Sequence, residues 1–199
     1  MTNHKFALSS EEIDQLSGAI FSSLKFDHSK LLIVGLQALQ YSLSFLGSLL
    51  ARDSVCDFVF ETLFNTLKKS HEIQNEECMR LSILRIEELS SLIYANFGKY
   101  SPLIFQQIAN CQSIRSAVII QTSIHFFQKM LENDARHGST LVDVVFKQLY
   151  EQTIQIMLQL NYDDEANWPV QNYCVQFLGL LNARYLSQVE DLLISKLTE

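Results

Sequence analysis

The sequence predicts an all-α fold: a short right-handed α-solenoid of about four antiparallel helix pairs behind an N-terminal capping helix. Three observations predict it. The 199 residues include only 6 Gly and 2 Pro, too few to punctuate a turn-rich β architecture. Apolar residues recur at steps of three and four, and no stretch sustains the period-two alternation of a half-buried strand. A corner-and-helix segment also returns along the chain at intervals of 41 to 48 residues, a period suited to two helices per unit.

Start signals place the elements in order. Ser9 with Glu12 three residues on forms a capping box for a helix over 10–25, with Ile13, Leu16, Ile20 and Leu24 on one face. A helix over 30–51 comes next, capped by Ser29, and one over 54–69 starts from Asp53. Asn75 precedes Glu76 and Glu77 at the head of a helix over 76–97, where acids suit the N-terminal dipole. Pro102 and Pro169 fit the first turns of helices over 102–110 and 169–184. Ser113 and Ser139 or Thr140 offer caps for helices over 114–133 and 140–160, and a last helix runs over 188–197.

The segment between Lys30 and Arg52 carries no formal charge and is long enough to cross a bilayer. Its pattern argues otherwise. Leu32, Leu36, Leu39, Leu43, Leu46 and Leu50 form one stripe, while Gln37, Gln40, Ser44 and Ser48 take the other side. A helix facing lipid is apolar all round, whereas a single stripe wants a protein partner. No membrane span is expected. A membrane-associated protein, tested by carbonate extraction, is the least favoured class.

The repeat is visible in the letters. FLGSLLAR at 45–52 returns as FLGLLNAR at 177–184, and VCDFVFETL at 55–63 resembles LVDVVFKQL at 141–149 and VEDLLISKL at 189–197. A weaker copy, YSPLIFQQI at 100–108, has Pro102 where the others have Asp57, Asp143 and Asp191. A single helix cannot bury its apolar face alone, and stacking hairpins lets each cover the next. The pairs are 30–69, 76–110, 114–160 and 169–197, within one helical-repeat domain spanning 1–199. Gly47 and Gly179, shared by two copies, are expected to admit a neighbouring helix at close range.

These helical pairs resemble HEAT and armadillo-type repeats across roughly residues 30 to 197. More narrowly, FLGSLLARDSVCDFVFETLFNTL is similar to a helix and its partner in the middle domain of the translation-initiation scaffold factor four-gamma. The first resemblance implies a protein-binding α-solenoid. The second implies an RNA-linked adaptor that docks a helicase or a cap-binding complex, with a basic patch gathered from Arg80, Arg85, Arg115, Arg136 or Lys147. A small transport-receptor-like carrier of basic cargo belongs to the same interaction class.

Composition narrows the function classes. Apolar residues make up 48% and charged residues 19%, too hydrophobic for a disordered chain. The net charge of −7, with 15 basic residues spread thinly, does not supply a phosphate-neutralising surface. Direct nucleic-acid binding is therefore not expected. Cys56, Cys78, Cys111 and Cys174 form no C-x-x-C and have no His at ligand spacing, so no metal or other cofactor is implied. Cys56, Cys78 and Cys174 read as small buried apolar residues. With no signal-peptide core at the start and no N-x-S/T acceptor, an intracellular location, cytoplasmic or nuclear, is expected.

No catalytic constellation stands out. His4, His28, His71, His125 and His137 lie at no metal spacing, and no phosphate loop or nucleophile elbow occurs. His125 reads as a partly buried helix residue. The one cluster to single out is YDDEANW at 162–168. Asp163, Asp164 and Glu165 lack the alternating ligands and central Gly of a calcium loop. The plain reading is a solvated acidic loop; the functional one, with Trp168 beside it, is an acidic landing point with an aromatic anchor for a basic or helical partner segment. The apolar last helix, VEDLLISKL, adds the expectation that a partner covers the final face. A non-catalytic scaffold or adaptor, a subunit of a larger assembly, is the function these features predict.

Overall fold

A computed structural model of the chain describes residues 9–26, 28–46, 50, 53–160 and 164–198. All regular structure among them is helical, with no strand. The chain divides between Tyr100 and Ser101 into two compact units.

Unit one holds α1 (Ser10–Ser23), α2 (Ser29–Leu46), α3 (Asp53–Glu72), α4 (Glu76–Leu92) and the single turn α5 (Tyr94–Phe97). The capping box at Ser9 forms: its hydroxyl accepts from the Glu12 N–H at 3.3 Å, and its own N–H donates to Glu12 Oε2 at 2.8 Å. This satisfies two of the N–H groups a helix start leaves unpaired. The leucine stripe of α2 also forms. Leu32, Leu36 and Leu39 are fully buried and Gln37 and Gln40 face outward; Leu46 and Ser44 side chains and Gly47 lie outside the described residues. Among the described residues, no helix is long and apolar enough to cross a membrane.

Helix α2 packs on α1 and α4, and α3 also packs on α4. Close approach of α1 to α2 depends on Gly35, where a Cβ would meet the Ser23 side chain and Leu24 Cδ2. Asn75 caps α4 by accepting the Cys78 N–H at 2.9 Å. Being central, α4 buries Cys78, Met79, Leu81, Ile83, Ile86 and Leu89. Its buried Ser82 donates to the Cys78 carbonyl at 2.7 Å, so the hydroxyl is satisfied within its own helix. The helix expected over 76–97 breaks at Ile93, whose ψ of 46° is not helical.

Unit two holds α6 (Ser101–Cys111), α7 (Ala117–His137), α8 (Phe146–Gln159) and α9 (Trp168–Thr198), joined by 3-10 turns at Gln112–Ile114, Leu141–Val144 and Glu165–Asn167. Four rings, Phe105, Phe126, Phe127 and Phe177, make its core, with centroids 5.3 to 6.5 Å apart in successive pairs. Helix α7 ends at Gly138, whose φ of 64° is the left-handed conformation that glycine adopts without Cβ strain. Neither Ser139 nor Thr140 caps the turn after it. The buried Asp134 does so from the preceding helix, accepting from the N–H groups of Leu141 at 3.1 Å and Val142 at 3.0 Å and from the Ser139 hydroxyl. This cap holds residues 141–144 in a 3-10 turn, so the helix expected over 140–160 begins at Phe146.

Two corrections concern the last repeat. The helices expected over 169–184 and 188–197 are one helix, α9, kinked at Tyr185. No Gly, Pro or Asn lies between Arg184 and Val189 to end it, and Tyr185 is held from outside. Its hydroxyl donates to Asp143 Oδ1 at 2.6 Å, and its ring lies 4.3 Å from that of Phe146. Among the described residues Gly179 meets no neighbour: nothing lies within 4 Å of a Cβ placed there, and it is exposed on α9.

Both units make one contact in the same way. In unit one, Asp57 accepts from Lys99 Nζ at 2.9 Å, and Phe60, three residues later, stacks on Tyr100 at 4.9 Å. In unit two, Asp143 accepts from Tyr185, and Phe146, three residues later, packs on that same ring. The donor lies 42 residues after the aspartate in both cases.

Candidate partner-binding groove

Helix α9 is amphipathic over its first half. Val170, Cys174, Phe177, Leu181 and Tyr185 recur at steps of four, three, four and four and are buried. Trp168, Val175 and Leu180 are exposed, Trp168 by 54%. The 3-10 turn in front, closed by the Asn167 N–H donating to the Asp164 carbonyl at 2.9 Å, brings Glu165 beside the first turn of α9. Pro169 suits that turn because it lacks the N–H that would have no partner there. The result is a groove of about 620 Å³ lined by Glu165, Trp168, Pro169, Asn172, Tyr173 and Gln176.

Of the residues singled out from sequence, the groove joins Glu165 and Trp168. Asp164 is exposed next to it without lining it. Asp163 lies outside the described residues. Sequence reasoning missed Asn172, Tyr173 and Gln176: helical spacing from Trp168 marks Asn172 and Gln176, four and eight residues on and on its side of the helix, but not Tyr173, five residues on. The Gln176 amide donates to Asn172 Oδ1 at 3.3 Å, so two of the lining residues are bonded to each other.

A second concavity, about 290 Å³, lies in unit one between the start of α3 and the α5 corner. Asp53, Cys56, Asp57, Asn96, Lys99 and Tyr100 line it. Lys99 is bonded to Asp57, and Asn96 donates to Asp53 Oδ1 at 3.2 Å, so these charges serve the fold.

The four cysteines are buried thiols. Burial pushes Cys111 up to about 12 and Cys174 up to about 11, and raises Cys56 and Cys78 as well. At neutral pH they are protonated and poorly nucleophilic. Among the described residues, no group of three His, Cys, Asp or Glu could hold a metal ion. His125, expected to be partly buried, is exposed on α7.

The basic residues named for RNA divide differently. Arg85 is 2% exposed with Nη1 3.1 Å from Glu88 Oε2, and Arg80 donates to both oxygens of Glu77 at 2.8 and 2.9 Å. Arg115, Arg136 and Lys147 are exposed. In comparisons with known proteins, no family model matches this chain, and no curated protein or solved structure matches it significantly.

Proposed function

We propose that this chain is a non-catalytic interaction scaffold, a subunit of a larger assembly, that binds a basic amphipathic helix of a partner protein in the α9 groove. The observation that carries the reading is the half-exposed Trp168 set against Glu165 at the head of α9. An exposed indole on a rigid helix supplies large apolar area at little entropic cost, the property of interface anchors. Glu165 and the adjoining Asp164, on a chain of net charge −7, favour Lys and Arg on the incoming segment.

The scaffold reading includes a HEAT-like helical-repeat stack. Its support is the contact made twice at a separation of 42 residues. Packing order supports it too. Within unit one, α2 and α3 both pack on α4; within unit two, α7 and α8 both pack on α9, and α6 on α7. The fourth unit is then a single kinked helix in place of a pair. With Arg80 and Arg85 engaged by Glu77 and Glu88, the RNA-linked adaptor is the less favoured alternative.

Trp168 is the chain's single tryptophan, so its emission reports on the groove alone. Titration with an 18-residue helical peptide, Leu on one face and Lys on the other, should give a saturable blue shift. Glu165→Lys should weaken it about tenfold, a loss of about 1.4 kcal/mol. An unchanged spectrum at millimolar peptide, or equal binding by Glu165→Lys, would refute the reading.

A further inference from the structure

We infer that the helix received at Trp168 continues along the outer face of α9 and lies antiparallel to it, with its basic last turn at Glu165 and a large apolar residue seated at Gly179. This rests on the α9 groove being a helix-binding site, and adds the direction, the length and the second anchor of the bound segment.

Residues 166–183 carry no formal charge, although much of the helix they build faces away from the core. Val170, Cys174, Phe177 and Leu181 form the buried row. Opposite them Trp168, Asn172, Val175 and Gly179 recur at steps of four, three and four and are exposed, Val175 by 54%. Leu180, 47% exposed, flanks this row. The solvent side of a globular helix ordinarily carries its charges. Depletion of charge around aromatic and aliphatic side chains is instead the composition of an interface core.

Gly179 is the low point of the row. Glycine in a helix interior costs stability relative to alanine. Among the described residues nothing lies within 4 Å of a Cβ placed there, so that cost brings no packing with them. What the missing side chain offers is closer approach for a second helix, since the distance between axes depends on the side chains at the crossing. Trp168 and Gly179 stand eleven residues apart, three turns or about 16 Å along the axis. The track therefore suits a segment with two anchors at that separation.

Charge sets the direction. The head of α9 presents the exposed Asp164 and Glu165 together with the positive end of the helix dipole. Lys and Arg are most favourable in the last turn of a helix, beside its carbonyls. A segment that brings bases to Glu165 from its last turn runs antiparallel to α9, and its carbonyls then meet the N-terminal end of α9. A second copy of this chain matches the track poorly, because Arg184, the first base after the uncharged stretch, donates to the Ser139 carbonyl at 3.2 Å. The occupant is a helix of a partner protein with a large apolar residue about eleven positions before its C-terminal bases.

The probe is the helical Leu/Lys peptide of the groove titration, whose Lys run along its whole polar face and leave the direction open. A nitroxide is placed at either end, and quenching of Trp168 is read at saturation. The C-terminal nitroxide should quench about threefold more than the N-terminal one, the preference that opposed helix dipoles give. Gly179→Leu should weaken binding about tenfold by filling the crossing point. The urea midpoint of that variant should be no lower than that of the unaltered chain, since the added side chain meets open space. Equal quenching from both ends, stronger quenching from the N-terminal nitroxide, or undiminished binding by Gly179→Leu overturns the inference, while the saturable blue shift leaves the groove reading standing. A lowered midpoint would mean that Gly179 is packed within the chain and likewise overturns it. Self-association of the chain that Gly179→Leu abolishes does so too, by assigning the track to a second copy. Absence of any blue shift refutes the groove and the track together.

Discussion

Replacing Tyr185 by Phe keeps the ring against Phe146 and removes only the hydroxyl that donates to Asp143. The carboxylate it leaves is exposed and can turn to water, so the loss is that of one hydrogen bond to a charged group, about 1–2 kcal/mol in urea denaturation. A loss below the measurement error would mean that the hydroxyl contributes nothing. Titration of buried groups adds a second residue-scale outcome. Cys111 is pushed up to about 12 and Cys174 to about 11 from an ordinary 9.0, chiefly by burial. A pKa raised on folding means that the folded chain holds its proton more tightly. The associated stability is present below about pH 9 and falls as pH rises toward the folded values. Tyr185, raised by burial and then by its bond to Asp143, acts in the same direction at higher pH. The urea midpoint should be flat near neutrality and fall above about pH 9, less steeply in Cys111→Ala. A midpoint constant to about pH 11 would contradict this.

Elements built on local rules were legible in the sequence. The Ser9–Glu12 box, the Asn75 cap, the prolines at helix starts and the leucine stripe of α2 depend on neighbours within four residues. The features that could not be read depend on a partner in space. The cap of the 3-10 turn at 141–144 is Asp134, buried on the preceding helix, and the spacing of letters gives no sign of it. Tyr185 bends α9 without ending it because its anchor is Asp143, on another element. Of the four residues chosen for partner binding, Trp168 and Glu165 meet in one groove; Tyr173 lines it too, but lies five residues from Trp168, where no helical spacing ties the two together. Glycine spacing misled in a similar way. Gly47 and Gly179 share a motif, yet Gly179 faces open space, and the close approach occurs at Gly35. Alanine substitutions should therefore move stability in opposite directions. Gly179→Ala gains about 0.5–1 kcal/mol of helix propensity. Gly35→Ala forces Ser23 and Leu24 aside and loses about 1–3 kcal/mol. Differential denaturation of the two variants checks both signs, and a stabilised Gly35→Ala would show that α1 is not held against α2 there.

On the scale of the whole molecule, a stack of like units has a particular energetics: each unit depends on its neighbours, and distant units are nearly independent. In the stack we propose, the contact spaced by 42 residues is the local expression of that rule, with Asp57 and Lys99 serving one unit and Asp143 and Tyr185 the other. The same rule frees outer surfaces, such as the Trp168 side of α9, for binding without cost to the core. Native-state hydrogen exchange of Tyr185→Ala measures this dependence. If the chain is assembled from neighbours, protection falls in α8 and the second half of α9 and persists unchanged in α1 to α4. Equal loss of protection from α1 through α9 would mean a single cooperative bundle and would contradict the scaffold.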